Sequence, residues 1–205
     1  MGVNNFKQIR ELLNFRSKDD FYFLQILQRK KDFKDTQKIS GTNNNSRLVK
    51  AYYIKSLDHF DFLEDEIIKL CELFNARAGI NLNRRSFKKT SLQHLKKVTD
   101  QIITGDYSKA YKAYSSVAGV HNNESDKKWI IDLDGEDENS FDLIYSINEC
   151  IIGLQPNIGE SKTICRVLSK NGSHLITSPF NIADFKKQFP KLEIHKNNPT
   201  NIFIP

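Results

Sequence analysis

The segment Trp129–Asp134 restricts the fold of this chain more than any other part of the sequence. It reads Trp-Ile-Ile-Asp-Leu-Asp, and successive side chains of a β-strand point to opposite faces of a sheet. Ile131 and Leu133 are therefore expected to face a core, whereas Asp132 and Asp134 share the other face. Two carboxylates at this spacing repel each other, and they can bridge a pair of hard divalent cations. The alternative is a strand that simply ends at a solvated acidic turn.

The elements predicted around this strand follow the order β–α–β–β–α–β. Alternating or β-branched runs predict strands, and apolar residues at helical spacing predict helices. The predicted strands are Lys128–Asp134, Lys162–Leu168, His174–Thr177 and Lys191–His195, and the predicted helices are 139–152 and a short helix capped by Asn181 that runs through Phe189. This order is typical of an RNA-recognition-like, ferredoxin-like module, in which the first and third strands are neighbours.

The preceding residues predict an α/β module of their own. Two strands, Phe21–Gln28 and Arg47–Ile54, would form a long basic hairpin around a polar turn at Ser40–Ser46. A further strand is predicted at Arg77–Asn83, and helices at 5–14, 57–75, 90–104 and 107–115. We therefore expect an α+β fold with a module over 1–120, an RNA-recognition-like module over 121–205, and the site between them.

The charge of the chain favours a polyanionic partner. Its formal net charge is +6 and its sequence pI is about 9.1. Basic residues cluster in Arg29–Lys38, Arg84–Lys89, Lys109–Lys112 and Lys186–Lys196, whereas Asp132–Glu138 is acidic. A basic surface around a compact acidic centre suits phosphate chemistry that uses metal ions. No apolar run approaches the ~18–20 residues that span a bilayer, and three widely spaced cysteines predict reduced thiols of a cytosolic protein.

A second motif, Asn171-Gly172-Ser173-His174, predicts a tight hairpin followed by an imidazole at the start of a strand. The glycine turn would let the backbone approach a ligand closely, and His174 could donate a hydrogen bond to a triphosphate oxygen. A surface histidine after a hairpin is the alternative. Because the first and third strands of the predicted module are neighbours, His174 and the acidic pair would meet on one face of the sheet.

The combined pattern resembles the archaeo-eukaryotic primase superfamily, in particular small primase-polymerase-like proteins of phages and mobile elements. The matching features are apolar-apolar-Asp-apolar-Asp, then a helix, a strand, Asn-Gly-x-His and Pro-Phe-Asn, within a span from about Arg77 to the C-terminus. The resemblance implies that Asp132 and Asp134 bind metal. It also implies that His174 contacts the phosphates of an incoming nucleotide.

The superfamily has a third carboxylate on a later strand, and this chain offers no clean match to it. Glu193 is the only acid on the last predicted strand, and Asn197 and Asn198 follow it closely. Glu193 is therefore the candidate third metal ligand. Its position relative to Asp132 and Asp134 decides between an enzyme and a nucleic-acid-binding protein.

The resemblance implies a metal-dependent DNA primase/polymerase-like nucleotidyltransferase that adds nucleotides on a nucleic-acid template with Mg²⁺ or Mn²⁺. Arg77, Arg166 and Lys170 are the candidates to hold the triphosphate beside His174. The expected partners are single-stranded or primed DNA, nucleoside triphosphates, and a helicase or other replication proteins, with no membrane. The expected location is the cytoplasm of a bacterial or phage-infected cell.

Two other functions remain open from the sequence. One is a non-catalytic nucleic-acid-binding replication module on the same scaffold, and the other is a metal-dependent nuclease that uses the same acidic pair. Residues without a partner at ligand spacing are interpreted as structural or surface residues: His59, His94 and His195. Three tyrosines at helical spacing are interpreted as packing residues rather than base-stacking ones: Tyr107, Tyr111 and Tyr114.

Overall fold

The structure, a computed structural model, describes residues 2–32, 46–120, 126–135, 140–157 and 159–205. Within these ranges the chain is a mixed α+β fold with six α-helices and two antiparallel sheets. The strands are β1 (Val3–Asn4), β2 (Asp20–Arg29), β3 (Ser46–Ile54), β4 (Arg77–Ile80), β5 (Arg85–Ser86), β6 (Trp129–Asp134), β7 (Thr163–Leu168), β8 (Gly172–Thr177), β9 (Glu193–His195) and β10 (Thr200–Ile204). The helices are α1 (Phe6–Leu12), α2 (Leu57–Phe74), α3 (Phe87–Ile103), α4 (Ala113–Val120), α5 (Phe141–Gly153) and α6 (Ile182–Gln188). The predicted α+β class is confirmed.

Polar caps determine where four of these helices begin. The side chains of Ser56, Ser86, Ser140 and Asn181 accept hydrogen bonds from backbone N–H groups of the first turn. Helix α3 therefore begins at Phe87, earlier than the predicted start at residue 90. None of the described helices is long and apolar enough to cross a membrane.

The predicted helix over 107–115 is only partly correct. Tyr107–Lys112 is a 3-10 helix, and α4 follows it directly. Tyr114 packs its ring against Tyr53 and His94, as the packing interpretation expects. Tyr107 and Tyr111, by contrast, are 68% and 78% exposed, so packing does not account for them.

The first sheet has the strand order β1-β10-β4-β2-β3, and β5 pairs with β2. Helices α1 and α2 cover one face through a large apolar core that includes Ile9, Leu24 and Ile67. On the other face, a smaller cluster joins Phe21 and Phe23 of β2 to Ala118 of α4 and Phe87 of α3. Alternation along β2 thus sends apolar side chains to both faces, which explains the run of buried residues that begins this strand.

The predicted hairpin between the second and third strands is present. β2 and β3 pair in antiparallel register from Tyr22↔Ile54 to Arg29↔Ser46. Residues 33–45, which contain most of the predicted polar turn and of the basic run Arg29–Lys38, lie outside the described residues.

The C-terminal strand β10 was not predicted. It inserts between β1 and β4 of the first sheet, so the chain returns after β9 to the sheet that begins it. Strand β4 ends at Ile80, earlier than the predicted end at Asn83. Beyond it, the side chains of Asn81 and Asn83 donate hydrogen bonds to the carbonyls of Asn197, Lys128 and Lys196.

The second sheet has the order β7-β8-β6-β9, so the first and third strands of the C-terminal region are neighbours. Ile131 and Leu133 pack with α5 and α6 in a core that contains Ile147, Ile151 and Phe185, as the alternation predicts. On the opposite face of this sheet, Ile130, Val167 and Ile176 join the large core of the first sheet. The face that carries Asp132 is therefore turned toward the first sheet.

Candidate active site

A cavity of about 280 Å³ lies where the polar face of the second sheet meets the first sheet. Its lining residues are Asp132 and Asp134 of β6, His174 of β8, Glu193 and His195 of β9, Ser169, Lys170 and Asn171 between β7 and β8, Arg29 of β2, Arg77 of β4, Asn201 of β10, and Asn198. Every predicted site residue except Arg166 is therefore brought to one cavity.

Asp132 lies at the centre of this cluster. Strand β6 pairs with β8 on one side and with β9 on the other, which places Asp132 directly opposite both His174 and Glu193. Cross-strand partners share a sheet face, with Cβ atoms about 4.5–5.5 Å apart. Glu193 is thus the immediate neighbour of Asp132, and Asp134 lies two residues farther along the same strand.

The imidazole of His174 is held from both sides. Its Nδ1 lies 2.8 Å from the hydroxyl oxygen of Thr200, a fully buried residue of β10. Its Nε2 lies 3.5 Å from Oδ1 of Asp132. Burial lowers the pKa of His174 below its ordinary value, although the Asp132 carboxylate acts in the opposite direction. The ring is therefore neutral near pH 7, and Thr200 fixes which of its nitrogens faces the cavity.

His195 belongs to the cluster, which corrects its interpretation as a structural or surface residue without a partner at ligand spacing. Its Nε2 lies 3.8 Å from Oδ2 of Asp132 and 3.5 Å from Oε2 of Glu193. The signal was available in the sequence, because His195 is two residues after Glu193 and a strand brings such residues to one face. The site therefore contains two imidazoles rather than one.

Two cations that line the cavity, Arg77 and Lys170, are neutralised in part by Asp32. The sequence analysis did not identify Asp32. Arg77 forms a two-point ion pair with this carboxylate, and Lys170 Nζ lies 2.7 Å from Oδ1 of Asp32. Burial alone raises the pKa of Asp32, but the hydrogen bonds from Arg77 and Lys170 outweigh it and hold that pKa below its ordinary value. One carboxylate thus balances one of the two cations.

Arg166 does not reach the cavity. It lies on β7 opposite Leu175, whose side chain faces the α5–α6 core, whereas the neighbouring Val167 lies opposite His174. Arg166 is exposed, and its Nε donates a hydrogen bond of 2.8 Å to Ser173 Oγ. The structure therefore does not bring Arg166 to the cavity beside His174, contrary to the predicted position, because the pairing register sends its side chain to the opposite face.

The donor atoms of the cluster fit a divalent cation by their chemistry. Oδ1 of Asp132 is buried, and none of the described residues is its hydrogen-bond partner, a state that costs about 1–3 kcal/mol unless another ligand satisfies it. Carboxylate and imidazole groups are ligands that Mn²⁺ accepts, and Mg²⁺ prefers the carboxylates. Among the described residues, no group of three or more His, Cys, Asp or Glu side chains is arranged to hold a metal ion. The side chains contact one another in pairs instead.

Comparisons with protein-family models, with curated proteins and with solved structures find no match to this chain. The function is therefore argued from the site itself.

Proposed function

We propose that the protein is a metal-dependent nucleotidyltransferase of the primase-polymerase type, which adds nucleotides to a strand paired with a DNA template. The observation that carries the proposal is the position of Asp132 between His174 and Glu193, with Asp134 on the same face. Oδ1 of Asp132 is buried and, among the described residues, has no hydrogen-bond partner. The order β7-β8-β6-β9, with α5 and α6 as crossovers, supports an RNA-recognition-like module with its site turned toward the first sheet.

In this proposal the acidic residues hold Mg²⁺ or Mn²⁺, with Asp132 and Asp134 as the central ligands and Glu193 as the third. Such ions activate a hydroxyl nucleophile and neutralise the leaving pyrophosphate. The chain's own contribution is to keep these carboxylates on one rigid sheet face, which fixes their separation before any ligand binds.

The triphosphate is assigned to the basic side of the same cavity. Neutral His174, oriented by Thr200, offers a hydrogen bond to a phosphate oxygen. Arg77 and Lys170 contribute charge that Asp32 only partly cancels, and Arg29 adds a further cation to the wall. Nucleoside triphosphates, primed or single-stranded DNA and other replication proteins are the partners that follow from this activity.

The proposal is tested by template-dependent incorporation of labelled nucleotides with Mn²⁺ or Mg²⁺. We expect Asp132→Asn, Asp134→Asn and Glu193→Gln each to lower the rate by about 10²–10³-fold, because each removes a negative charge that would hold the metal ions which neutralise the transition state. The matched control is Glu149→Gln, an exposed carboxylate on α5 outside the cavity. Wild-type protein that incorporates no nucleotide on any primed or unprimed template would contradict the proposal.

A non-catalytic nucleic-acid-binding replication module is the second candidate. It is favoured by one observation, the lack of a preformed metal-binding group among the described side chains. Calorimetric titration separates the two candidates. If the protein is a nucleotidyltransferase, we expect Mn²⁺ and a nucleoside triphosphate to bind together and Asp132→Asn to abolish this binding. The alternative predicts DNA binding without any metal-dependent nucleotide binding.

A further inference from the structure

We propose that a single strand of nucleic acid binds in a second groove, which borders the cavity of about 280 Å³. The three carboxylates of that cavity, Asp132, Asp134 and Glu193, are called the acidic cluster below. This groove has a volume of about 630 Å³ and lies on the face of the first sheet opposite α1 and α2. It is lined by Leu27, Arg47, Tyr111, Lys112, Ser115 and Ser116, among others, and is called the tyrosine groove below.

The side chains of the tyrosine groove match the chemistry of a single strand. Tyr111 is 78% exposed, and Lys112 Nζ lies 5.0 Å from the centre of its ring. Arg47 supplies a second cation from the edge strand β3, and the hydroxyls of α4 supply hydrogen-bond donors. Of the residues described along this groove, none is a carboxylate. An aromatic ring that stacks a base, beside cations that contact phosphates, is the arrangement that binds single strands without sequence preference.

The tyrosine groove and the cavity share a border made of cross-strand neighbours. Leu27 lines the groove, and its partner on β4 is Arg77, which lines the cavity. Farther along β2, Arg29 lines the cavity and its partner on β3 is Ser46, which lines the groove. Cross-strand partners lie about 4.5–5.5 Å apart, so along these pairs the two spaces are neighbours, with no other described element between them.

A strand that leaves the tyrosine groove therefore passes Arg77 and Arg29 before it reaches Asp132. A duplex does not suit the groove, because its stacked bases offer no free face to the ring of Tyr111. The direction of the strand, from the groove toward the acidic cluster, rests on the proposed function. The binding of the strand does not, since it needs neither a metal nor a nucleotide.

The test is fluorescence anisotropy of the full chain with a labelled oligothymidylate of about 15 nucleotides, in EDTA and over a series of salt concentrations. We expect Tyr111→Ala to weaken binding by about 5- to 150-fold and Tyr111→Phe to bind like wild type. We expect Arg47→Gln/Lys112→Gln to reduce the slope of log K against log salt by about 1.4, because each lost phosphate contact removes about 0.7.

Matched controls lie elsewhere on the surface. Tyr145→Ala changes an exposed tyrosine on α5, and Lys7→Gln/Lys69→Gln removes two exposed charges on the helices that cover the opposite face of the first sheet. Both are expected to bind like wild type. The proposal is overturned if Tyr111→Ala binds as tightly as Tyr145→Ala, if the two double variants have equal salt slopes, or if Tyr111→Ala changes only the oligomeric state.

The failure of this proposal is distinguishable from that of the proposed function. If binding of the oligonucleotide depends on Tyr111 but the wild-type protein incorporates no nucleotide, the proposed enzyme activity is contradicted and the proposed strand-binding groove is supported. Conversely, if the wild-type protein incorporates nucleotides with metal and Tyr111→Ala binds the oligonucleotide like wild type, only the proposed strand-binding groove is contradicted. We expect Asp132→Asn to lose incorporation and keep strand binding.

Discussion

Arg85 and Asp132 are both charged residues inside this structure, and their surroundings are opposite. The guanidinium of Arg85 is almost fully buried, and it donates hydrogen bonds to the carbonyls of Asn83, Ala118 and Gly119. It also donates to Oδ1 of Asn197 at 3.1 Å. Burial lowers the pKa of Arg85 to about 10, so the group stays charged near pH 7 and its donors stay engaged.

The carboxylate of Asp132, by contrast, is incompletely satisfied by the described residues. Within the described part of the chain, Oδ1 of Asp132 has no hydrogen-bond partner, and Nε2 of the His174 imidazole lies 3.5 Å from it. Glu193, a second carboxylate, lies directly across from it. A fully satisfied network specifies the fold, whereas an unsatisfied one persists only where function requires it. We therefore interpret Arg85 as a structural residue and Asp132 as a functional one.

Replacement of Arg85 gives the largest expected effect on stability. Arg85→Met removes the guanidinium that donates to the carbonyls of Asn83, Ala118 and Gly119, so we expect a loss of about 3–5 kcal/mol in the free energy of unfolding. For a chain of this size the melting temperature would fall by about 6–20 °C. Thermal unfolding followed by circular dichroism measures this change.

The control is Arg47→Met, because Arg47 is an exposed arginine on an edge strand. It is expected to melt like wild type. If Arg85→Met also melts like wild type, the hydrogen bonds of Arg85 do not stabilise the fold. Arg85 would then not be a structural counterpart to the functional carboxylate of Asp132.

The sequence predicted the elements whose signals are local. Alternation along β6 correctly assigned Ile131 and Leu133 to the core, and the helix predicted over 57–75 matches α2, which Ser56 caps. The two strands of the basic hairpin were also found, since each is a run of β-branched and aromatic residues. In the site, the same alternation rule placed Asp132 and Asp134 on one face.

The residues that were missed depend on pairing between distant parts of the chain. Strand β10 finds its partners in β1 and β4, far away in sequence, so no local pattern identifies it. The sheet face to which the Arg166 side chain points can be predicted only when the register of β7 on β8 is known. A shift of one residue in that register would move the side chain to the other face of the sheet. Asp32 meets Lys170 across 138 positions of the sequence, and only the folded chain reveals that contact.

Replacement of Asp32 is expected to have an intermediate effect, in opposite directions on stability and binding. Asp32→Asn leaves Arg77 and Lys170 without their shared counter-charge, so we expect a loss of about 1–3 kcal/mol in stability and tighter binding of a nucleoside triphosphate. Urea unfolding and calorimetry measure the two effects. Equal or weaker triphosphate binding would show that these cations do not face a phosphate.

This stability difference has a defined pH dependence. Because the folded protein holds the pKa of Asp32 below its ordinary value, the stabilisation is present above the unfolded-state pKa of about 3.9 and is lost as the pH falls through the lower folded pKa. The unfolding free energies of wild type and Asp32→Asn should therefore converge in acid. A difference that persists there would have to come from packing rather than charge.

The smallest expected effect comes from Asp132→Asn, and it distinguishes most sharply between a structural and a functional carboxylate. The matched substitution is Asp20→Asn, because Asp20 is a buried carboxylate that accepts hydrogen bonds from the backbone N–H groups of Arg16 and Ser17 and lies 3.3 Å from Nε of Arg84. Asp20→Asn should lose about 1–3 kcal/mol, measured by urea unfolding in EDTA.

Asp132→Asn should change stability by less than about 1 kcal/mol, and toward greater stability. The substitution removes a negative charge beside Glu193, and Oδ1 of Asp132 is a buried oxygen with no hydrogen-bond partner among the described residues. If Asp132→Asn destabilises the protein as much as Asp20→Asn does, the acidic cluster is part of the structural framework. The contrast with Arg85 would then disappear. A neutral or stabilising result, combined with loss of nucleotide incorporation, means that the fold tolerates an unfavourable carboxylate which only the reaction needs.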